Sequence, residues 1–445
     1  MRFVLPLILA STMLCAQQPP APENAVTRAI DPEIAAVIAS TKAFDDHAHP
    51  VLPPPADGTD REFDALPVDN MEPQTDIVAW RSDNPQLPDA WQALWGFHAQ
   101  SLPLDDAGMK QLAAARARVK AQQGTHFDEW VLDQAGIATM AANRVAMGAG
   151  VAPPRFRWVP YDDALLFPLD NTALAAESPD KKLFFPLEEK VRARYLADSG
   201  LAKMPGTLQE YLSKVVTPTL ERQKAGAAIA VKFEIAYLRD FDFTSVAQAD
   251  AAKMFAEHAA SAADYKLLQD FLFRYIAREC GRLGLAVHLH TMSGGGGYFS
   301  IAGGNPMLLE PTFNDPQLRR TSFVMLHGGW PFVREAGSLL QKPNVYLDLS
   351  QQALSFPPRT LAMWLREWLE TFPGKVLFGT DGYPFSDALG WEESTWIAAR
   401  NARQALGLAL TGMVQDGEIG RPRAMEIVAM VLHGNAEALY ASKSN

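Results

Sequence analysis

Five apolar runs in this chain each end on side chains that can hold a metal ion or move a proton. They are AFDDHAHP (43–50), AIAVKFEI (228–235), LAVHLHTMS (285–293), SFVMLHGGW (322–330) and KVLFGTDGY (375–383), and they supply His47, His49, Lys232, His288 or His290, His327 and Asp381. Imidazole and carboxylate form the donor set of a divalent-cation site, and a carboxylate beside a cation-activated water is a general base. His47 and His49 are two apart on an expected strand, so they share a face; Asp45 has the same parity one pleat deeper, where it could fix an imidazole tautomer. Lys232 sits in an apolar run where an unpaired ammonium is costly, and Glu234 on the same face is one partner for it. His288 and His290 also share a face, so spacing does not choose between them.

Each run has the length and composition of a buried parallel strand. Ligands separated by hundreds of residues converge when the C-terminal ends of several strands form one mouth, as in a (β/α)8 barrel. The first strand is expected at 43–49, the second in IATMAANRVA, the third in FRWVPYDDALLFPL, and the rest near 227–235, 284–290, 322–327, 344–349 and 375–380. Helix-compatible sequence separates them, which gives an α/β fold with a parallel sheet. Two helical insertions are expected, near 86–122, where Trp91, Leu94 and Trp95 share a face, and near 178–224, read as an amphipathic cap. The SGGGGYF stretch (293–299) reads as a loop at the barrel mouth.

The order of these residues, together with HGGWPFVREAGSLL, NVYLDLS and VLFGTDGYPF, resembles the amidohydrolase superfamily and, within it, the amidohydrolase-related family. The resemblance runs from the HxH near the start to VLHGNAEALY near the end. It implies a TIM-like barrel with helical insertions and a metal site built from His47, His49, Lys232, His290, His327 and Asp381. The histidine–threonine pair at the end of strand five matches His290 and Thr291, which leaves His288 deeper as a supporting residue beside Asp45. By the same resemblance His327 binds metal or polarises substrate, and Asp381 accepts the proton of the attacking water. Lys232 would be carboxylated and bridge two ions, so the expected cofactor is one or two divalent metals. Zinc is the first expectation, with manganese, iron or nickel as alternatives.

Tyr237 and Arg239, just after strand four, and Arg334, after strand six, are expected to face the pocket. A guanidinium there suits a small-molecule substrate carrying a carboxylate. The leading expectation is a metal-dependent hydrolase of an amide, lactone or related carbonyl. A non-oxidative decarboxylase is the first rival, with Asp45, two before the first histidine, as its cue. The second is a non-catalytic periplasmic metal- or solute-binding protein, against which the general-base aspartate argues.

The formal net charge of −11 and the lack of a Lys/Arg run exclude a polyanion-binding surface, so nucleic acid is not an expected partner. Arg2, the apolar stretch from Phe3 to Cys15, and Ala16 before QQPPAPENA read as a signal peptide (1–16) of an exported, periplasmic or secreted protein. The stretch is short of the roughly 20 residues that span a bilayer, so no membrane span is expected. Residues 17–445 would then form a single barrel domain with Cys280 as its one cysteine, and no internal disulfide. The 48% hydrophobic content of the full chain must supply the stability. His98, His126, His258 and His433 fall in helical contexts and receive no role, and the number of identical subunits stays open.

Overall fold

A computed structural model describes residues 25–52, 60 and 77–441; the segment read as a signal peptide lies outside them. Among the described residues eight strands occur in chain order: β1 (Ala43–Ala48), β2 (Ile137–Asn143), β3 (Phe156–Val159), β4 (Ala230–Phe233), β5 (Ala286–His290), β6 (Phe323–Leu326), β7 (Val345–Asp348) and β8 (Val376–Leu377). All pairings are parallel, in a β1–β2–β3 group and a β4–β5–β6–β7–β8 group. Backbone hydrogen bonds join the groups at both seams. Lys232 N donates to Pro160 O and Asp162 N to Lys232 O on one side, while Asp46 N donates to Phe378 O and His49 N to Gly382 O on the other. The sheet therefore has no free edge among these strands, the condition of a barrel.

Side chains from all eight strands meet in one apolar cluster. Phe44, Ala141, Val159, Ala230, Ala286, Val324, Leu326 and Leu377 are buried there, with Tyr346 of β7 packed against them. Residues of the opposite parity, such as Val231, Val287, Phe323 and Leu347, join a larger cluster with the surrounding helices. Alternation on each strand thus separates barrel interior from helix-facing exterior. Both faces are apolar because both are covered, each fully buried side chain contributing about 1.5–3 kcal/mol.

The crossover helices begin and end on local signals. In the helix Ala262–Leu283 the Ser261 side chain accepts from Asp264 N, and Gly284 closes it at φ +66°. On the same helix a Cβ at Gly281 would stand 2.5 Å from Thr321 Oγ1, so the absence of a side chain lets the helix approach the segment leading into β6. Residues 86–122 form two helices, Leu87–Trp95 and Asp106–Gln123, divided at Gly96 in the left-handed region. Residues 178–224 carry the helix Pro179–Asp198, a short turn at Leu208–Tyr211 and the helix Thr217–Ala225. No helix among the described residues is long and apolar enough to cross a membrane.

Candidate metal centre and active site

The C-terminal ends of β1, β4, β5, β6 and β8 bring seven polar side chains together. His47 Nε2 and His49 Nε2 are 3.2 Å apart, and Asp381 Oδ1 is 3.2 Å from the first and 3.3 Å from the second. His327 Nδ1 lies 3.9 Å from Asp381 Oδ2. The rings of His327 and His290 have centroids 4.6 Å apart, those of His327 and His47 5.0 Å. Lys232 Nζ is 3.4 Å from His47 Nε2 and 2.6 Å from Glu234 Oε1, and Glu234 Oε2 is 3.4 Å from His290 Nδ1.

The backbone forces these groups together at some strain. His327 (φ +67°) and Asp381 (φ +54°) both sit in the left-handed region, which costs a non-glycine residue about 1–2 kcal/mol. Two anchors hold them there: His327 N donates to Asp348 Oδ1 at 2.6 Å, and Asp381 N donates to His47 O at 2.8 Å. Ser350 Oγ, itself 2.8 Å from Asp348 Oδ1, lies 2.8 Å from His327 Nδ1 and orients the ring. Tyr161 Oη does the same for His49 Nδ1 at 3.1 Å.

Burial, then the nearby Lys232, pushes the His47 imidazole well below its usual pKa, and the same two causes bring His290 down to about 3. Burial also holds His327 well below its ordinary value. For Asp381, burial opposes ionisation, but His327 and the contacts from His47 and His49 outweigh it and hold the carboxyl well below the usual range. Neutral imidazoles with an ionised carboxylate are what a divalent cation requires. His47, His327 and Asp381 each offer a donor atom within 4.8 Å of the others, and among the described residues the buried Nε2 of His290 lacks a hydrogen-bond partner. The residues present therefore fit such an ion.

Residues 247–441, which include β5 to β8 with His290, His327 and Asp381, match the family model described as amidohydrolase. An inferred metal-dependent hydrolase of Lactobacillus casei superposes with a TM-score of 0.57 at 15% identity, covering 92% of this chain and 97% of that one. Residues 247–441 are thus similar to the amidohydrolase family, and the chain as a whole shares its fold with that hydrolase. The uronate isomerase of Thermotoga maritima shares the fold at a TM-score of 0.55 and 12% identity, over 94% of this chain and all of its own (100%). Glucuronate isomerase of Caulobacter crescentus gives 0.55 and 12%, over 95% and 96%. Protein fluG of Emericella nidulans is 34% identical over 156 residues, which is 35% of this chain; the chain spans only 17% of that protein's length.

Within this barrel several residues stand elsewhere than their sequence positions suggest. Asp45 does not hold an imidazole. Strand pairing is irregular between Asp45 and Ala48, which breaks the two-residue period, and the Asp45 carboxylate instead accepts from Thr380 N (2.9 Å) and Thr380 Oγ1 (2.5 Å) at the end of β8. Arg239 turns from the mouth to pair with buried Asp270 at 2.7 Å, with its guanidinium 4.7 Å from the Phe243 ring centre. Arg334 has a side chain 79% exposed, on a helix surface with Glu367 at 3.0 Å. The substrate carboxylate that these arginines suggested loses its structural basis. Tyr237 is at the mouth, its ring 4.8 Å from that of His290 and its hydroxyl accepting from Gly295 N in the SGGGGYF loop. His288 lies deeper, 2.6 Å from Tyr440 Oη.

Sequence reasoning missed Ser350, Asp348 and Tyr161, which support the histidines, and Gln352. The signal for the first two was faint: NVYLDLS carries Asp348 and Ser350 two residues apart at its end, as the first strand carries His47 and His49. Gln352 is fully buried, neither atom of its amide has a partner among the described residues, and it lies against Gly328, where a Cβ would stand 2.4 Å from its Nε2. Nothing in the spacing of a glutamine marks such a position.

Proposed function

We propose that this chain is a metal-dependent hydrolase that cleaves an amide, lactone or related carbonyl substrate with an activated water. The observation that carries the reading is the convergence of His47, His327 and Asp381 within 4.8 Å, all buried. His47, His49, His290, His327 and Asp381 would hold the cation, zinc in the first instance, which supplies an acidified water and a Lewis acid for the carbonyl. Asp381, ionised through its imidazole neighbours, takes the proton of the attacking water and returns it to the leaving group. Ser350 and Tyr161 keep the His327 and His49 rings in fixed orientations while this proton moves. Tyr237 and Phe299, with ring centroids 5.3 Å apart, wall the side of the mouth next to His290, and Tyr383 stands at 5.4 Å from His49 on another. These rings suit a substrate with an apolar or flat body.

Elemental analysis followed by a screen of N-acyl amino acids, dipeptides, lactones and aromatic acids tests the reading. Metal at about one equivalent or more with hydrolytic turnover of one class supports it; carbon dioxide release without hydrolysis would move the chain to the lyases. The decarboxylase reading has lost its cue, because Asp45 faces Thr380 and not the cavity. We propose export for the same chain on the composition of residues 1–16, for which N-terminal sequencing of the native protein is the check.

A further inference from the structure

Below the histidines the barrel interior holds a hydrogen-bond chain that the proposed chemistry does not use. Tyr440, the last residue of the helix Asn435–Tyr440, stacks on Phe44 with ring centroids 5.6 Å apart. Its hydroxyl donates to Asp46 Oδ1 at 2.5 Å and lies 2.6 Å from His288 Nε2. A phenol has one proton, so once Asp46 takes it, the His288 contact needs Nε2–H to donate, which fixes that tautomer. The helix is secured from beneath: Asn435 Nδ2 donates to Pro373 O and to Val376 O, both at 2.8 Å, and Ala436 and Leu439 join the interior apolar layer.

Both partners of the tyrosine are neighbours of site histidines. Asp46 immediately precedes His47 on β1, and His288 lies two residues before His290 on β5. These strands are not adjacent in the sheet; β2, β3 and β4 stand between them in one direction, and β6, β7 and β8 in the other. No ladder hydrogen bond can therefore set the height of one against the other. On β1 the ladder is also irregular between Asp45 and Ala48, where His47 sits, so pairing with β2 leaves that residue less constrained than an ordinary strand position.

We propose that Tyr440 is a positioning residue for the metal centre, its hydroxyl tying β1 to β5 across the barrel so that His47 and His290 present their imidazoles at matched heights. The C-terminal helix then does more than plug the barrel floor. This inference rests on the reading that His47 and His290 hold a cation.

The test loads the metal-free full chain with cobalt(II) and compares wild type, Tyr440→Phe and Tyr346→Phe by visible spectrum, chelator competition and thermal melting. Tyr440→Phe keeps the ring on Phe44 and removes only the hydroxyl. Groups that orient metal ligands typically change affinity by about 10–100-fold when lost, so Tyr440→Phe should bind cobalt about 10–100-fold more weakly with a shifted visible spectrum. Tyr346→Phe, from the same apolar layer, should leave both readouts unchanged. A merely structural tyrosine would lower the melting temperature without altering the cobalt spectrum. Asp46→Asn, which retains an oxygen for the tyrosine, should bind cobalt close to wild type. If Tyr440→Phe does not fold, His288→Met, which removes the other end of the chain, carries the same expectation. Wild-type cobalt affinity and spectrum in the folded variant overturn the proposal. A wild-type protein that takes up no cobalt overturns the metal-centre reading and this inference with it.

Discussion

Lys232 and Glu234, two residues apart at the end of β4, meet at 2.6 Å with side chains only 0% and 3% exposed. Glu234 also faces His290, so one carboxylate neutralises the lysine and borders the histidine cluster. A second carboxylate built onto Lys232 would stand against this one in a buried site, where like charges repel strongly. The pair as seen favours a single-ion centre. Lys232→Met should leave metal content at about one per chain and cost about 3–5 kcal/mol, because it strands a buried charge. The double variant Lys232→Met with Glu234→Met should recover much of that loss. Metal falling from about two equivalents to one in Lys232→Met would establish the bridged arrangement instead.

Asp381→Asn keeps the shape and one oxygen while removing the proton acceptor. Metal should stay bound and kcat should fall about 10²–10⁴-fold, the usual cost of losing a general base. The dependence of kcat/KM on pH should also change, its apparent pKa belonging to the whole site and not to Asp381 alone. A fully metallated variant with near wild-type kcat refutes the mechanism.

Much of this centre could be read from the chain because strand ends in a barrel converge by construction. The apolar runs before His47, Lys232, His290, His327 and Asp381 located both the strands and the mouth, and the structure brings all five residues together. What escaped depends on local departures from regularity. The irregular pairing of β1 sends Asp45 to Thr380, and a strict two-residue period cannot show it. Arg239 found a buried acid on a helix distant in sequence, Asp270, before it could reach the mouth. Gln352 and Tyr440 carry no metal-site signature, and only their placement against Gly328, Asp46 and His288 marks them.

Asp45 gives a pH dependence whose sign is fixed. Burial raises its carboxyl to about 8, against the hydrogen bonds from Thr380 that favour ionisation. A folded-state pKa above the unfolded value of about 3.9 contributes stability that is complete below the latter and is lost as pH rises through about 8. Asp45→Asn removes this titration. In thermal melts of the metal-free protein, the melting temperature of Asp45→Asn relative to wild type should therefore rise steadily between about pH 4 and pH 8. A constant difference across that window would show that Asp45 does not change its proton affinity on folding.

The two arginines should behave oppositely on substitution, and neither as a substrate contact. Arg334→Ala alters an exposed pair with Glu367 and should change stability by less than about 0.5 kcal/mol and leave kcat/KM unaltered. Arg239→Met weakens the neutralisation of buried Asp270, which keeps only Lys266 at 2.8 Å, and should cost about 3 kcal/mol. A rise in KM in Arg334→Ala at unchanged stability would return that residue to the pocket.

Gln352 sets stability against activity. A buried amide lacking partners costs about 1–3 kcal/mol, and replacing it by an apolar group of similar size removes that cost. Its Nε2 lies beside Gly328, directly after His327, and we propose that the sequence keeps the amide to meet a substrate polar group with both its donor and its acceptor. Gln352→Leu should accordingly raise the melting temperature while lowering kcat/KM on whichever class the screen identifies, with metal content unchanged. The melting temperature alone separates the alternatives without a substrate. A Gln352→Leu protein less stable than wild type would show that the amide is satisfied within the fold, and the proposed substrate contact would fall with that result.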